Sequence, residues 1–255
     1  MEPLTLNTRR LYAIISTSLF IGALLFAALY ASGYRFERWS LAATGAVYVS
    51  VPVSDAVVTL NGEEVGKSGL LSKTFYLDTL EPGSYVLQAS TDGYYPWAKT
   101  LVVAPKLVTD ASAFLVPQKL LAEPASSTPA LALAFATSTK QEASGGLELI
   151  LERGDVFLRW TRDPQSVPSA FCRAPGTCAL VMPIEKGNDV ATDARFFADG
   201  VVYATELGGV FLAEADIRPP QTVVPLYTKP GAQFRIIRGS LFIKDGPAYY
   251  EITGF

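Results

Sequence analysis

Among its 255 residues the chain has no histidine, and it has only two cysteines. Without an imidazole there can be no Ser-His-Asp or Cys-His nucleophile system, no His-containing zinc site and no His general base. The two thiols are too few to complete a metal centre and are not spaced C-x-x-C. Basic charge is also in short supply. Against 24 acidic residues stand 21 Lys and Arg, a formal charge of −3, which gives no positive field for nucleic acid. Phosphate-loop, calcium-loop and dinucleotide fingerprints are missing, so no cofactor is expected.

Charge of either sign is missing from one long stretch, Leu11 to Tyr34. At about 1.5 Å of rise per residue, a helix over 11–34 is long enough to cross a hydrocarbon core of roughly 30 Å. Arg9 and Arg10 precede it, and Tyr12, Tyr30 and Tyr34 sit near its ends, as aromatic rings do at headgroup depth. The expected arrangement is a cytoplasmic tail (1–10), one transmembrane signal anchor (11–34), and everything after it outside the cytoplasm. A cleaved secretory signal is the alternative, with Ala31-Ser-Gly33 as its exit. Against it stands the length of the apolar run, since signal-peptide cores span only about 7–15 residues.

Beyond the anchor the chain turns to short alternating segments separated by Gly and Pro. Val47–Val51, Ala56–Leu60, Lys73–Leu77, Ser84–Ala89 and Thr100–Val103 read as strands. Asn61-Gly62, Glu81-Pro-Gly83 and Asp92-Gly93 fall between them, and Asn-Gly is a strong hairpin signal because both residues tolerate positive φ. The expected fold is a small antiparallel β-sandwich over 44–117. The motifs Pro52-x-x-Asp55-Ala56, Val58-x-Leu60-Asn61-Gly62-Glu63-x-Val65-Gly66-Lys67-Ser68, Leu80-x-Pro82-Gly83-x-Tyr85-x-Leu87 and Gly93-Tyr94-Tyr95-Pro96-Trp97 make this stretch resemble the PEGA domain family. The naming tetrapeptide is altered, with Val53-Ser54-Asp55 between Pro52 and Ala56. The resemblance implies a surface β-sandwich of envelope proteins, an interaction module with no ligand residues of its own. Tyr94, Tyr95 and Trp97 are the candidate binding aromatics. Their structural reading is as caps on the sandwich core; their functional reading is as a platform for a sugar or peptide.

Residues 118–146 are rich in Ala, Ser, Thr and Pro and are expected to be a connector. Within it, Leu131–Phe135 reads as an edge strand of the C-terminal domain. Over 147–255, three hairpins recur, with Gly154, Gly209 and Gly246 at their turns, and Ala194-Arg-Phe196 and Ala232-Gln-Phe234 precede the later two. Such spacing brackets propeller-type repeats of about 40–50 residues. Phe197-x-x-Gly200-Val-Val-Tyr203, Gly209-Val-Phe-Leu-x-Glu214-x-Asp216-x-Arg218, Val224-Pro-Leu-Tyr227 and Leu241-Phe-Ile-x-Asp245-Gly246 look like the WD40-related β-repeats that follow PEGA domains in membrane-anchored bacterial proteins. A closed propeller normally has at least four blades. The short array is therefore expected as an open or truncated propeller, a self-contained sandwich, or a part that completes itself as a homo-oligomer.

Cys172 and Cys178 flank Pro175-Gly176, a spacing suited to a local disulfide across a turn in an oxidising compartment. Carboxylates are the remaining catalytic possibility. Glu214, Asp216 and Arg218 alternate on one strand face, the simpler account being a solvated, charged edge; Asp110 and Asp155 are read the same way. The chain is thus expected to be an all-β ectodomain on one N-terminal transmembrane helix. No enzyme activity is expected. Its partners are the membrane and an envelope protein or cell-wall glycan. A carbohydrate-binding or carbohydrate-acting surface protein would instead display a cleft bearing aromatic rings beside carboxylates.

Overall fold

The computed structural model of the chain describes residues 5–37, 40–137 and 143–255. Helix α1 (Leu6–Ala31) starts at Thr5, whose side chain accepts the Thr8 N–H, and stops at Ser32, where Gly33 takes φ 80°. It begins earlier and ends earlier than the apolar run, taking in Arg9 and Arg10 and leaving Tyr34 to the first strand. None of its side chains is buried. A helix apolar all round that packs against nothing in its own chain suits a lipid environment. By length and composition it fits either a membrane span or a signal sequence. A hairpin, β1 (Tyr34–Glu37) and β2 (Ser40–Ala43), leads into the first β region.

That region runs β3 (Gly45–Ser50), β4 (Val57–Leu60), β5 (Glu63–Lys67), β6 (Thr74–Leu80), β7 (Gly83–Ser90), β8 (Trp97–Val103) and β9 (Val108–Ser112). The five expected strands are all present; β5 and β9, polar and short, are additions. Two sheets form, in orders β6-β3-β9 and β5-β4-β7-β8, antiparallel except for the parallel β3–β9 pair. Strand alternation sends Val47, Val49, Val58, Leu87, Leu101 and Ala111 from both sheets into one core. Asn61 (φ 51°) and Gly62 (φ 85°) make the tight turn between β4 and β5. Gly45 is required for a different reason. A Cβ there would lie 2.4 Å from the Ala104 carbonyl oxygen, where β3 passes the turn before β9.

The stretch expected as a connector carries β10 (Leu121–Ala125) and α2 (Pro129–Ala136). Leu131–Phe135 is helical and not an edge strand. Thr128 caps the Leu131 N–H, Pro129 takes the first turn, and the alanines favour helix over strand. Leu131 and Phe135, one turn apart, are its buried residues, and the Phe135 ring lies 5.5 Å from that of Tyr249.

The remaining strands are β11 (Ala143–Ser144), β12 (Leu147–Glu152), β13 (Asp155–Trp160), β14 (Cys172–Ala174), β15 (Thr177–Cys178), β16 (Val181–Pro183), β17 (Ala191–Phe197), β18 (Gly200–Thr205), β19 (Gly209–Glu214), β20 (Val223–Tyr227), β21 (Gln233–Ile237), β22 (Ser240–Asp245) and β23 (Ala248–Thr253). They build three four-stranded antiparallel sheets, β11-β12-β13-β16, β17-β18-β19-β20 and β10-β23-β22-β21. The three hairpins recognised in the sequence are the central pairs of these sheets. The last is completed by β10, which reaches it from before the repeats. The middle sheet is covered on both faces, so every residue of β18 is buried. Val202 and Ala204 enter the core shared with the third sheet, while Val201 and Tyr203 enter the core shared with the first.

Candidate functional site

The two β regions meet along the edge of the first formed by β8 and β9. Trp97, Leu101 and Val103 point inward from β8 into the core, and Lys99 shares their parity. Lys99 is completely buried. Its three ammonium protons find three acceptors in the second region, Glu214 Oε2 at 2.8 Å and the carbonyls of Arg218 and Pro220, each at 2.9 Å. Glu214 also accepts from Trp97 Nε1 at 2.8 Å and from the Thr222 N–H at 3.2 Å. Beside this cluster Asp216 grips Arg218 through Nε and Nη2, and the remaining guanidinium nitrogen, Nη1, donates to the backbone carbonyl of Asp110 on β9 at 2.7 Å. The backbone joins in, with Thr100 N–H donating to Pro219 O at 2.7 Å.

Glu214, Asp216 and Arg218 are therefore not a solvated edge; at 4%, 5% and 2% exposure they are buried. Strand β19 ends at Glu214 and the following turn folds over β8 and β9. Alternation correctly placed the three residues near one another but carries no information about what covers them. Burial pushes the Glu214 carboxyl above its ordinary range, against the opposing pull of Lys99, Trp97 and Thr222. Every ammonium proton and both carboxylate oxygens are used inside the cluster, which fits it for fastening two surfaces together. Lys99 was missed in the sequence. A lysine at the inward parity of an otherwise apolar strand, Trp97-x-Lys99-x-Leu101-x-Val103, is the signal that marks it.

The candidate aromatics separate. Trp97 lies in the core, with its N–H spent on Glu214. Tyr95 is half-buried against the core of the second region, its N–H bonded to Val116 O. Phe114 touches both cores and presses on Gly200, where a Cβ would lie 2.9 Å from its ring. Of the three candidates, Tyr94 alone lines open space, a cleft of about 430 Å³ between the two regions. Its walls include Tyr48 from β3, Asp110 from β9, Ser169, Asp199 and Phe255, with Glu214, Asp216 and Arg218 beneath.

A disulfide joins Cys172 and Cys178 across the β14–β15 hairpin, where they are register partners. The 3-10 turn Ser169–Phe171 just before it anchors Phe171 in the core. From that turn Ser169 Oγ donates to Asp110 Oδ2 at 2.7 Å, and Ala170 O accepts the Ile217 N–H at 2.8 Å. The bridged hairpin thus braces one wall of the cleft. Asp155 lies elsewhere, paired with Lys186. Among the described residues no group of three or more His, Cys, Asp or Glu is arranged to hold a metal ion. No family model matches the chain, and no curated protein matches it.

Proposed function

We propose that this is a single-pass, membrane-anchored protein of the bacterial envelope, non-enzymatic, that displays its β regions outside the cytoplasm for binding or assembly. Residues 44–117, with the PEGA-like motifs on two sheets sharing one core, are read as a β-sandwich. The three four-stranded sheets, the last closed by a strand from before the repeats, are read as a short propeller-like array. The observation that carries the proposal is the seam. A buried ion-pair cluster costs desolvation and contributes little net stability, but it fixes one arrangement of two surfaces. Here it would hold two β regions as a rigid display platform on one anchor. The disulfide suits an oxidising compartment, and hence the outward orientation.

A carbohydrate-binding role is the second reading, favoured by the cleft, where the rings of Tyr48 and Tyr94 lie beside Asp110 and Asp199. Two measurements test the main proposal. The full-length protein should remain in membranes through high salt and alkaline carbonate, because hydrophobic insertion is not screened. Protease added outside intact cytoplasmic membranes should remove the β regions and spare the Arg9 side. Soluble protein beginning near Ser32 would identify a cleaved signal, and protection of the β regions would reverse the orientation.

A further inference from the structure

The cleft between the β regions has an unbalanced charge. In its floor Glu214 is matched by Lys99 and Asp216 by Arg218, so those pairs cancel. Asp110 and Asp199 line the walls without an ion-pair partner among the described residues, and both are exposed. Asp110 spends one oxygen on Ser169 and has the other free of hydrogen bonds within the chain. The cation nearest the rim, Lys73, is tied to the Pro52 carbonyl. Beside these carboxylates stand Tyr48, 40% exposed on the outer face of β3, and Tyr94. A cleft of this volume, mostly apolar with a few convergent polar groups, is the usual form of a ligand site.

We propose that this cleft binds a basic segment of a protein partner, taking a Lys or Arg side chain against the tyrosine rings with its cationic head at Asp110 and Asp199. This rests on the interaction role proposed above and names the partner's chemistry. The choice follows from charge. Closing the cleft with a neutral sugar would strip water from two carboxylates and return no counter-charge, whereas an ammonium or guanidinium compensates them and gains cation–π contact. An anionic occupant would meet carboxylates and no free cation. The groups are also held in place before any ligand arrives, because Asp110 is gripped at its carbonyl by Arg218 and at its side chain by Ser169. Along β3 the cleft end at Ser50 lies roughly 17 Å from Gly45, beside the helix junction, which leaves it clear of the anchor.

The test uses full-length protein in detergent micelles or nanodiscs. The probes are a blocked tetra-arginine peptide, a blocked tetra-glutamate peptide and neutral chitotetraose, with affinities measured by calorimetry at two salt concentrations. The arginine peptide should bind, weakening as salt rises. It should bind at least tenfold more weakly to Asp110→Asn/Asp199→Asn and to Tyr48→Ala, while Glu152→Gln, on an exposed strand elsewhere, should bind as the parent does. Asp199→Asn alone should weaken binding without changing the melting temperature, since that side chain supports no contact in the fold. Equal binding to parent and cleft variants would overturn the proposal, as would preference for chitotetraose or tetra-glutamate, or no binding of the arginine peptide. If crosslinking in cells still captured a partner at another face of the β regions, only the cleft assignment would fall; loss of membrane association would instead strike the proposed role itself.

Discussion

Replacing Lys99 by Met keeps the aliphatic length of the side chain and removes only its charge, leaving Glu214 buried with the Trp97 and Thr222 N–H groups but no cation. Breaking one partner of a buried pair costs about 3–5 kcal/mol. For a body of this size each kcal/mol lowers the melting temperature by about 2–4 °C, so a fall on the order of 10 °C is expected at neutral pH. Glu214 already sits above its ordinary range because of burial. An acid whose folded pKa is raised stabilises the fold below its unfolded pKa, and that contribution is lost as pH rises through the folded value. Removing Lys99 raises the folded pKa further, so the penalty of Lys99→Met should be small near pH 4 and full at pH 7. In Lys99→Met/Glu214→Gln the amide oxygen still accepts from Trp97 and no charge is stranded, so at least half of the loss at pH 7 should return. Thermal melts of the full-length protein, followed by Trp fluorescence between pH 4 and 8, measure all three variants. A Lys99→Met penalty below 0.5 kcal/mol at neutral pH, or one that grows on acidification, would refute the assignment of the seam to this ion pair.

Three further outcomes are expected. Trp97→Phe should cost about 1.5–3 kcal/mol at neutral pH through the lost N–H to a charged acceptor, whereas Tyr94→Ala should shift the melting temperature by no more than a few degrees; a larger effect for Tyr94 would move it from cleft wall to core. Cys172→Ala/Cys178→Ala should fold with a loss of about 2 kcal/mol because the loop closed is short, and it should raise proteolysis first around Ser169–Phe171, read by limited digestion and mass spectrometry. Arg218→Met should strand Asp216 and free the Asp110 carbonyl, separating the β regions before either unfolds, which would appear as two melting transitions where the parent has one.

Local sequence signals were sufficient wherever a residue's role is set by its neighbours along the chain. The charge-free run forced a helix with no buried face, and Asn61-Gly62 forced the β4–β5 hairpin. The spacing of Cys172 and Cys178 around Pro175-Gly176 placed their bridge. The hairpins centred on Gly154, Gly209 and Gly246 became the central pairs of three sheets because alternation and turn residues are both local properties. Where two local signals competed, as in Leu131–Phe135, the Thr128-Pro129 start and the alanine content outweighed the apolar run. By itself the sequence determined an apolar N-terminal helix, a β-rich remainder and a bridged hairpin.

Tertiary structure decided what crosses between distant segments. β10 finds its place only against β23, and nothing in Leu121–Ala125 announces that pairing. Glu214, Asp216 and Arg218 looked like a solvated edge because their alternation is the same whether water or protein covers them. Their burial depends on Lys99 and Asp110, more than a hundred residues earlier in the chain. The cleft with its two unbalanced carboxylates arises the same way, from the docking of one β region on another. Periodicity along a strand gives the face on which a side chain lies; the identity of the surface opposite that face is a property of the folded chain alone.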